Sequence, residues 1–376
     1  MSRKNKFFIG VSPLGLLALS ACGGGAGGGG GGGGGAAFTA QSGKAQKGPL
    51  NNATVFLDYD KDGVFDVGET KTTTDADGAW SLTPTNGTYN IVVTTTLDQF
   101  GVSATTDSTV GGVVDAITLV APSGADNAFN GANIMVTPAT TMISNLMALD
   151  ATLSAADAKA NVAKALGFVD ASGNATIDPL LFDAFDTTGN QLGILDATAT
   201  YDDLALQAEK TSQKIMTVVN TFAAAIEGTG ASEADALTAA FGSVTSVLSD
   251  KIANLSDNTK SAAEKVLDFD VASDITAVTT KLAADITSVT GSSKLAFDSL
   301  ASTVEASIAN VVKAIDDISD INETQSAFQT IALVSEQVKT AAVNAEKNFS
   351  DASLYAGQDP DGISVAAAVA NNAKLV

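Results

Sequence analysis

Ala53-Thr-Val-Phe-Leu57, then Asp58-Tyr-Asp60-Lys-Asp62-Gly63-Val64-Phe-Asp66-Val-Gly68-Glu69, then Thr70-Lys-Thr-Thr-Thr74: two β-prone runs enclose twelve residues that carry five carboxylates. The flanking runs are rich in Val, Phe and Thr, residues that suit a pleated, half-buried surface. Acidic side chains at every second position of a tight loop converge on one point, and a hard cation such as calcium takes six to eight oxygens. In that pattern Asp58, Asp60 and Asp62 stand at positions 1, 3 and 5, and Gly63 at 6 permits the sharp turn. Val64 offers its carbonyl at 7, and Asp66 and Glu69 stand at 9 and 12. The spacing predicts Ca2+ held by Asp58, Asp60, Asp62, Val64, Asp66 and Glu69. An EF-hand needs a helix on each side of its loop, and here both flanks are strands.

Outward from this loop the strand signals continue. Ala79-Trp-Ser-Leu82, Tyr89-Asn-Ile-Val-Val-Thr94 and Val113-Val-Asp-Ala-Ile-Thr-Leu119 alternate with Asp/Gly/Asn turns, and the regular spacing predicts a small antiparallel β-sandwich over residues 45–133. The run from Gly48-Pro-Leu50 through Glu69 to Thr74-Asp75-Ala-Asp77-Gly78-Ala-Trp80-Ser-Leu82 resembles the SdrD B-like and Cna B-type, or carboxypeptidase-regulatory-like, β-sandwich modules of bacterial surface proteins. The resemblance covers about a quarter of the chain. It implies calcium ligation by the five carboxylates, with Asp75 or Asp77 as an added ligand. Asp75-Ala-Asp77-Gly78 also reads simply as a hairpin turn.

Near residue 135 the periodicity changes from two to helical. Thr137 and Pro138 suit a helix start, and Ser154-Ala-Ala-Asp157 forms a cap ahead of Ala158–Leu166, with Gly167 as the stop. Residues 134–200 are expected to hold short helices and connecting loops. The segments Val136 to Thr141, Ala160 to Gly167 and Asp178 to Phe182 resemble stretches that follow such β modules in large bacterial surface proteins.

From residue 201 apolar residues recur at spacings of three and four: Val271, Ile275, Val278, Leu282, Ile286 and Val289; Leu300, Val304, Ile308, Val311, Ile315 and Ile318; Phe328, Ile331, Val334, Val338, Ala342, Ala345 and Phe349. Breaks at 228–232, 256–258, 291–293 and 320–322 predict four or five helices of about 22 to 30 residues, packed as a bundle over 201–356 and followed by a tail, 357–376. The fold class expected is therefore α+β in two domains, a small antiparallel β-sandwich followed by an all-α helical bundle.

The N-terminus supplies an address. Arg3, Lys4 and Lys6 precede an apolar run, Phe7 to Leu19, too short to span a bilayer, so residues 1–21 read as a signal peptide. Leu19-Ser20-Ala21-Cys22 resembles the lipobox of bacterial lipoproteins, which implies a lipid on Cys22. Cys22 is the chain's only cysteine, so it has no internal disulfide partner. Gly23 to Gly35 is glycine except for Ala26, and within residues 22–44 this run reads as a flexible tether with a reach of roughly 20 Å. Gly23, rather than Asp, after Cys22 favours the outer membrane under the sorting rule of some Gram-negative bacteria.

Composition sets exclusions. Three of the 20 Lys+Arg and none of the 42 Asp+Glu precede Cys22, so from there on 17 basic residues face 42 acidic ones, a formal charge of about −25. Such a field repels nucleic acid. Without a single His, imidazole bases, Ser-His-Asp triads and His metal sites are excluded. Paired carboxylates can hydrolyse glycosides, yet no catalytic motif stands out and only 6% of residues are aromatic, so a non-enzymatic role is expected. The favoured reading is a membrane-anchored, surface-exposed lipoprotein that binds a protein or glycan partner or acts in adhesion. The alternative is a structural protein that self-assembles through its helices; a carboxylate-based hydrolase is a minor one.

Overall fold

The computed structural model describes residues 38–319, except 86, 97–102, 110–111, 114–116, 124–132, 187, 190 and 290–293. The signal peptide, Cys22, the glycine run, the third apolar seam (Phe328 to Phe349) and the tail fall outside the described residues, as do the breaks at 291–293 and 320–322. The chain is a mixed α+β structure. Its strands are β1 (Gln41–Ala45), β2 (Leu50–Asn51), β3 (Thr54–Asp58), β4 (Lys71–Thr73), β5 (Ala79–Leu82), β6 (Tyr89–Thr94), β7 (Thr106–Asp107), β8 (Gly112–Val113), β9 (Thr118–Ser123) and β10 (Ile134–Val136). They make three small sheets, in the orders β4-β3-β6-β9, β10-β1-β5 and β2-β7-β8.

The four-stranded sheet is antiparallel, with Thr54 opposite Thr94 and Val93 opposite Leu119. Val55, Leu57, Ile91, Val93, Leu119 and Ala121 are buried in its core, as the period-two pattern requires. The second sheet departs from an all-antiparallel arrangement: β1 pairs antiparallel with β5 but parallel with β10, Gly43 facing Ile134. The parallel pair is close because residue 43 is glycine. A Cβ there would lie 1.8 Å from the Ile134 carbonyl oxygen.

Helices follow: α1 (Pro138–Leu149), α2 (Ala155–Ala165), α3 (Tyr201–Gly228), α4 (Glu233–Asn254), α5 (Ala262–Lys265), α6 (Ala272–Asp285), a 3-10 turn at Ile286–Ser288, and α7 (Lys294–Asp316). Thr137 caps α1 with a reciprocal bond to Thr140, and Pro138 occupies the first turn, where it forfeits no helical hydrogen bond. Ser154, Thr200 and Ser232 cap α2, α3 and α4, each accepting from the amide three residues on. Gly167 ends α2 with φ +81°.

Two expected helix lengths are corrected. The seam from Val271 to Val289 is one 14-residue helix followed by the 3-10 turn, and a four-residue helix precedes it. Ile286 and Val289 are buried all the same. The run Ile286-Thr-Ser-Val-Thr290-Gly291 is β-branched and ends in Gly, so the α-helix is not worth extending there.

The buried apolar residues form one continuous cluster, from Ala45 and Val55 in the sheets through Met142 and Phe222 to Val312 in α7. Helix α1 is the bridge, packing on β9 on one side and α4 on another. Among the described residues, no helix is long and apolar enough to cross a membrane.

Candidate metal centre

The acidic loop leaves β3 at Asp58 and returns at β4, so the antiparallel pairing of those strands fixes both its ends. The Leu57 amide closes it with a 3.0 Å bond to the Thr70 carbonyl. Aromatic contacts pin it from outside. Phe65 meets Phe56 edge-on at 5.7 Å, and the Lys71 ammonium sits 4.0 Å from the centre of the Phe65 ring. Tyr59 stacks edge-on against Tyr89, and its hydroxyl accepts the Thr85 amide at 2.7 Å.

Within the loop, backbone amides orient the carboxylates. Asp58 accepts the amides of Lys61, at 2.6 Å, and Gly63, at 2.9 Å, one on each oxygen. Asp62 accepts the Val64 amide at 2.8 Å. Glu69 reaches back across the loop, taking the Tyr59 amide on one oxygen at 2.9 Å and the Asp66 amide on the other at 3.0 Å. These turns require positive φ at Lys61 (+62°) and Gly63 (+76°); Gly63 has that conformation at no steric cost.

Two sets of carboxylates converge. Single oxygens of Asp58, Asp60 and Glu69 lie within 4.8 Å of one another, and so do oxygens of Asp60, Asp62 and Asp66. Asp60 belongs to both sets, so the two sets adjoin at that residue. Asp58 is only 1% exposed; burial, with added pressure from Asp60 and Glu69, pushes its carboxyl up to about 6. Among the described residues, no lysine or arginine forms an ion pair with any of the five. Converging, uncompensated oxygens fit a hard divalent cation, which would remove the repulsion among them.

No known protein family, curated protein or solved structure matches the chain. The centre therefore stands on its own geometry: a cluster of Asp58, Asp60 and Glu69 able to hold a metal ion.

The remaining expected residues fall as follows. Val64 sits at the loop's outer turn, with its side chain 59% exposed. Asp75 accepts the amides of Asp77 and Ala79, at 3.0 and 2.9 Å, which makes it the cap of a hairpin turn whose Gly78 has φ +75°. Neither Asp75 nor Asp77 belongs to the converging sets. Reading the sequence did not find Lys47, Asp107, Glu209 and Gln213, buried polar residues gathered where the sheets meet α3. Their separation along the chain leaves no local signal.

Proposed function

We propose that the chain is an exported bacterial lipoprotein, anchored by lipid on Cys22 in the outer membrane or at the cell surface. In this reading the loop Asp58–Glu69 binds Ca2+ and the protein has no catalytic role. Its β-rich part, a sandwich in this proposal, stands as a calcium-stiffened spacer, and its helical part, a bundle, meets a protein or glycan partner in binding or adhesion. The observation that supports the calcium assignment is the pair of converging carboxylate sets that share Asp60, with Asp58 buried and, among the described residues, no lysine or arginine ion-paired to any of the five acids. Calcium suits this set better than magnesium, because calcium takes six to eight oxygens in adaptable geometry, as a loop with five carboxylates offers, while magnesium demands near-ideal octahedral geometry. Asp58, Asp60, Asp62, Asp66 and Glu69 would hold the ion with the Val64 carbonyl. The residues' own part is to lock both loop ends to β3 and β4.

Calorimetric titration with calcium and, separately, magnesium tests the centre. One calcium site per chain that is lost in Asp60→Ala/Asp62→Ala supports the proposal; equal heats for both proteins contradict it. Incorporation of a labelled fatty acid that disappears in Cys22→Ser tests the anchor, and unchanged labelling in that variant contradicts it.

A further inference from the structure

The strand ladders put the chain's entry and the acidic loop at one end of the β-rich part. Strand β1 starts at Gln41, opposite Leu82, the last residue of β5. Strand β3 ends at Asp58, opposite Asn90 near the start of β6. Residues 83–88 join β5 to β6 at that same end, where the Thr85 amide donates to the Tyr59 hydroxyl at 2.7 Å. A Cβ on Gly87 would lie 3.9 Å from the Phe38 ring, so the entry runs beside this turn. The hairpin turn Asp75–Gly78 marks the opposite end, since Thr73 pairs with Thr54 and Ala79 with Lys44. Five-residue β3 sets the two ends about 15 Å apart.

Among the described residues seven large apolar side chains are exposed, and four of them, Phe38, Val64, Phe65 and Val67, lie at the loop end. Single exposed apolar residues are ordinary on any surface, but three within four positions of one loop tip are a patch, and patches mark contacts. Val67 has its whole side chain in solvent. Lys61 and Lys71 flank the tip, both exposed, and neither forms an ion pair among the described residues. The Lys71 ammonium stands over the Phe65 ring at 4.0 Å. Apolar tips beside unpaired ammonium groups match the boundary of a bilayer, where acyl chains give way to phosphate.

We propose that this end of the β-rich part docks on the membrane that holds Cys22. Val64 and Val67 enter the boundary between headgroups and acyl chains, Phe65 and Phe38 border them, and Lys61 and Lys71 face lipid phosphates. The docking rests on the lipid anchor proposed above. Only residues 23–37 separate Cys22 from Phe38; fifteen residues reach roughly 20 Å as a coil and at most about 50 Å fully extended. The anchor therefore holds this end, rather than the hairpin end, nearest the lipid. Docking of a tethered patch is an intramolecular step, so a small patch too weak to bind a membrane from solution suffices. The acids of the loop share this end and repel lipid phosphate, a repulsion that a cation in the loop lessens.

Site-directed fluorescence on the full-length, lipidated protein in phosphatidylcholine vesicles with calcium tests this. An environment-sensitive fluorophore is attached at Val67→Cys or, at the hairpin end, at Ala76→Cys; both positions are exposed, so neither change reaches the core, and acylated Cys22 offers no competing thiol. The probe at 67 should shift to the blue and lose emission when the vesicles contain lipids brominated along the acyl chain, while the probe at 76 keeps a water-like spectrum and its full emission. Water-like emission at both positions overturns the docking, and so does equal quenching at both, which would mean contact without orientation. A blue shift at 67 without quenching by brominated lipid also overturns it, because the cover is then protein, a second copy of the chain. Flotation of the same samples reads the anchor separately. Protein that floats with the vesicles but is unquenched at 67 loses the docking and keeps the anchor; protein that fails to float loses both.

Discussion

Phe222→Ala probes the continuity of the core across the sheet and helical parts. Phe222, on α3, is 0% exposed and faces Phe297 on α7 at 6.3 Å between ring centres. Truncating a buried Phe to Ala typically costs 3–5 kcal/mol, the lost transfer energy plus the residual cavity. At roughly 2 °C per kcal/mol, the scale for long chains, the melting temperature should fall by about 6–10 °C. The chain's single Trp, Trp80, reports at a distance: it lies on β5, in the sheet region, and is 4% exposed. Because the buried cluster runs from β3 through α1 and α4 to α7 without a break, Trp80 fluorescence and helical circular dichroism should show one coincident transition, both shifted in the variant. A helical signal that drops while the Trp80 transition stays in place would refute the coupling and mean that the two parts melt independently.

Four further outcomes follow from particular contacts. Glu69→Gln removes a ligand and turns an amide nitrogen towards the Tyr59 or Asp66 N–H that Glu69 now satisfies; we expect a loss of about 1–3 kcal/mol and no calcium response, read by thermal unfolding. With Asp58 at about 6, protons compete with the cation, so calcium affinity by titration should be about tenfold weaker at pH 5 than at pH 7.5. The metal-free protein runs the other way: a raised carboxyl favours the fold when protonated, so Asp58's contribution is present below about pH 4 and is lost as pH rises through about 6. Gly43→Ala drives a Cβ against the Ile134 carbonyl and should cost about 1–3 kcal/mol in denaturant unfolding by forcing β1 from β10.

Much of this architecture is legible in the residues, and the exceptions have physical causes. Ala79–Leu82 and Tyr89–Thr94 are strands at the residues where aromatic and β-branched side chains alternate. The caps at Thr137 and Ser154 and the stop at Gly228–Ser232 act through local hydrogen bonds, and local chemistry is what a sequence displays. Strand β1, Gln-Ser-Gly-Lys-Ala, escapes because it lacks β-branched residues; it is a strand through its pairing with β5 and β10, and it begins inside the stretch read as tether. Ile134–Val136 reads as a lead-in to α1 and is a strand for the same tertiary reason. The acidic loop is legible because its ligands are close in sequence, whereas Lys47, Asp107 and Glu209 come together only in the folded chain.

The most direct test of the account is the thermal unfolding of residues 37–376 in 10 mM calcium and in chelator, beside Asp60→Ala/Asp62→Ala. An extracellular-type site with a dissociation constant of about 0.1 mM stabilises the fold by roughly 2.7 kcal/mol at that concentration, about 5 °C at the sensitivity used above. We expect that rise in the wild type and none in the double variant. Identical melting of the wild type in calcium and chelator would reduce Asp58–Glu69 to an acidic turn and contradict the calcium reading.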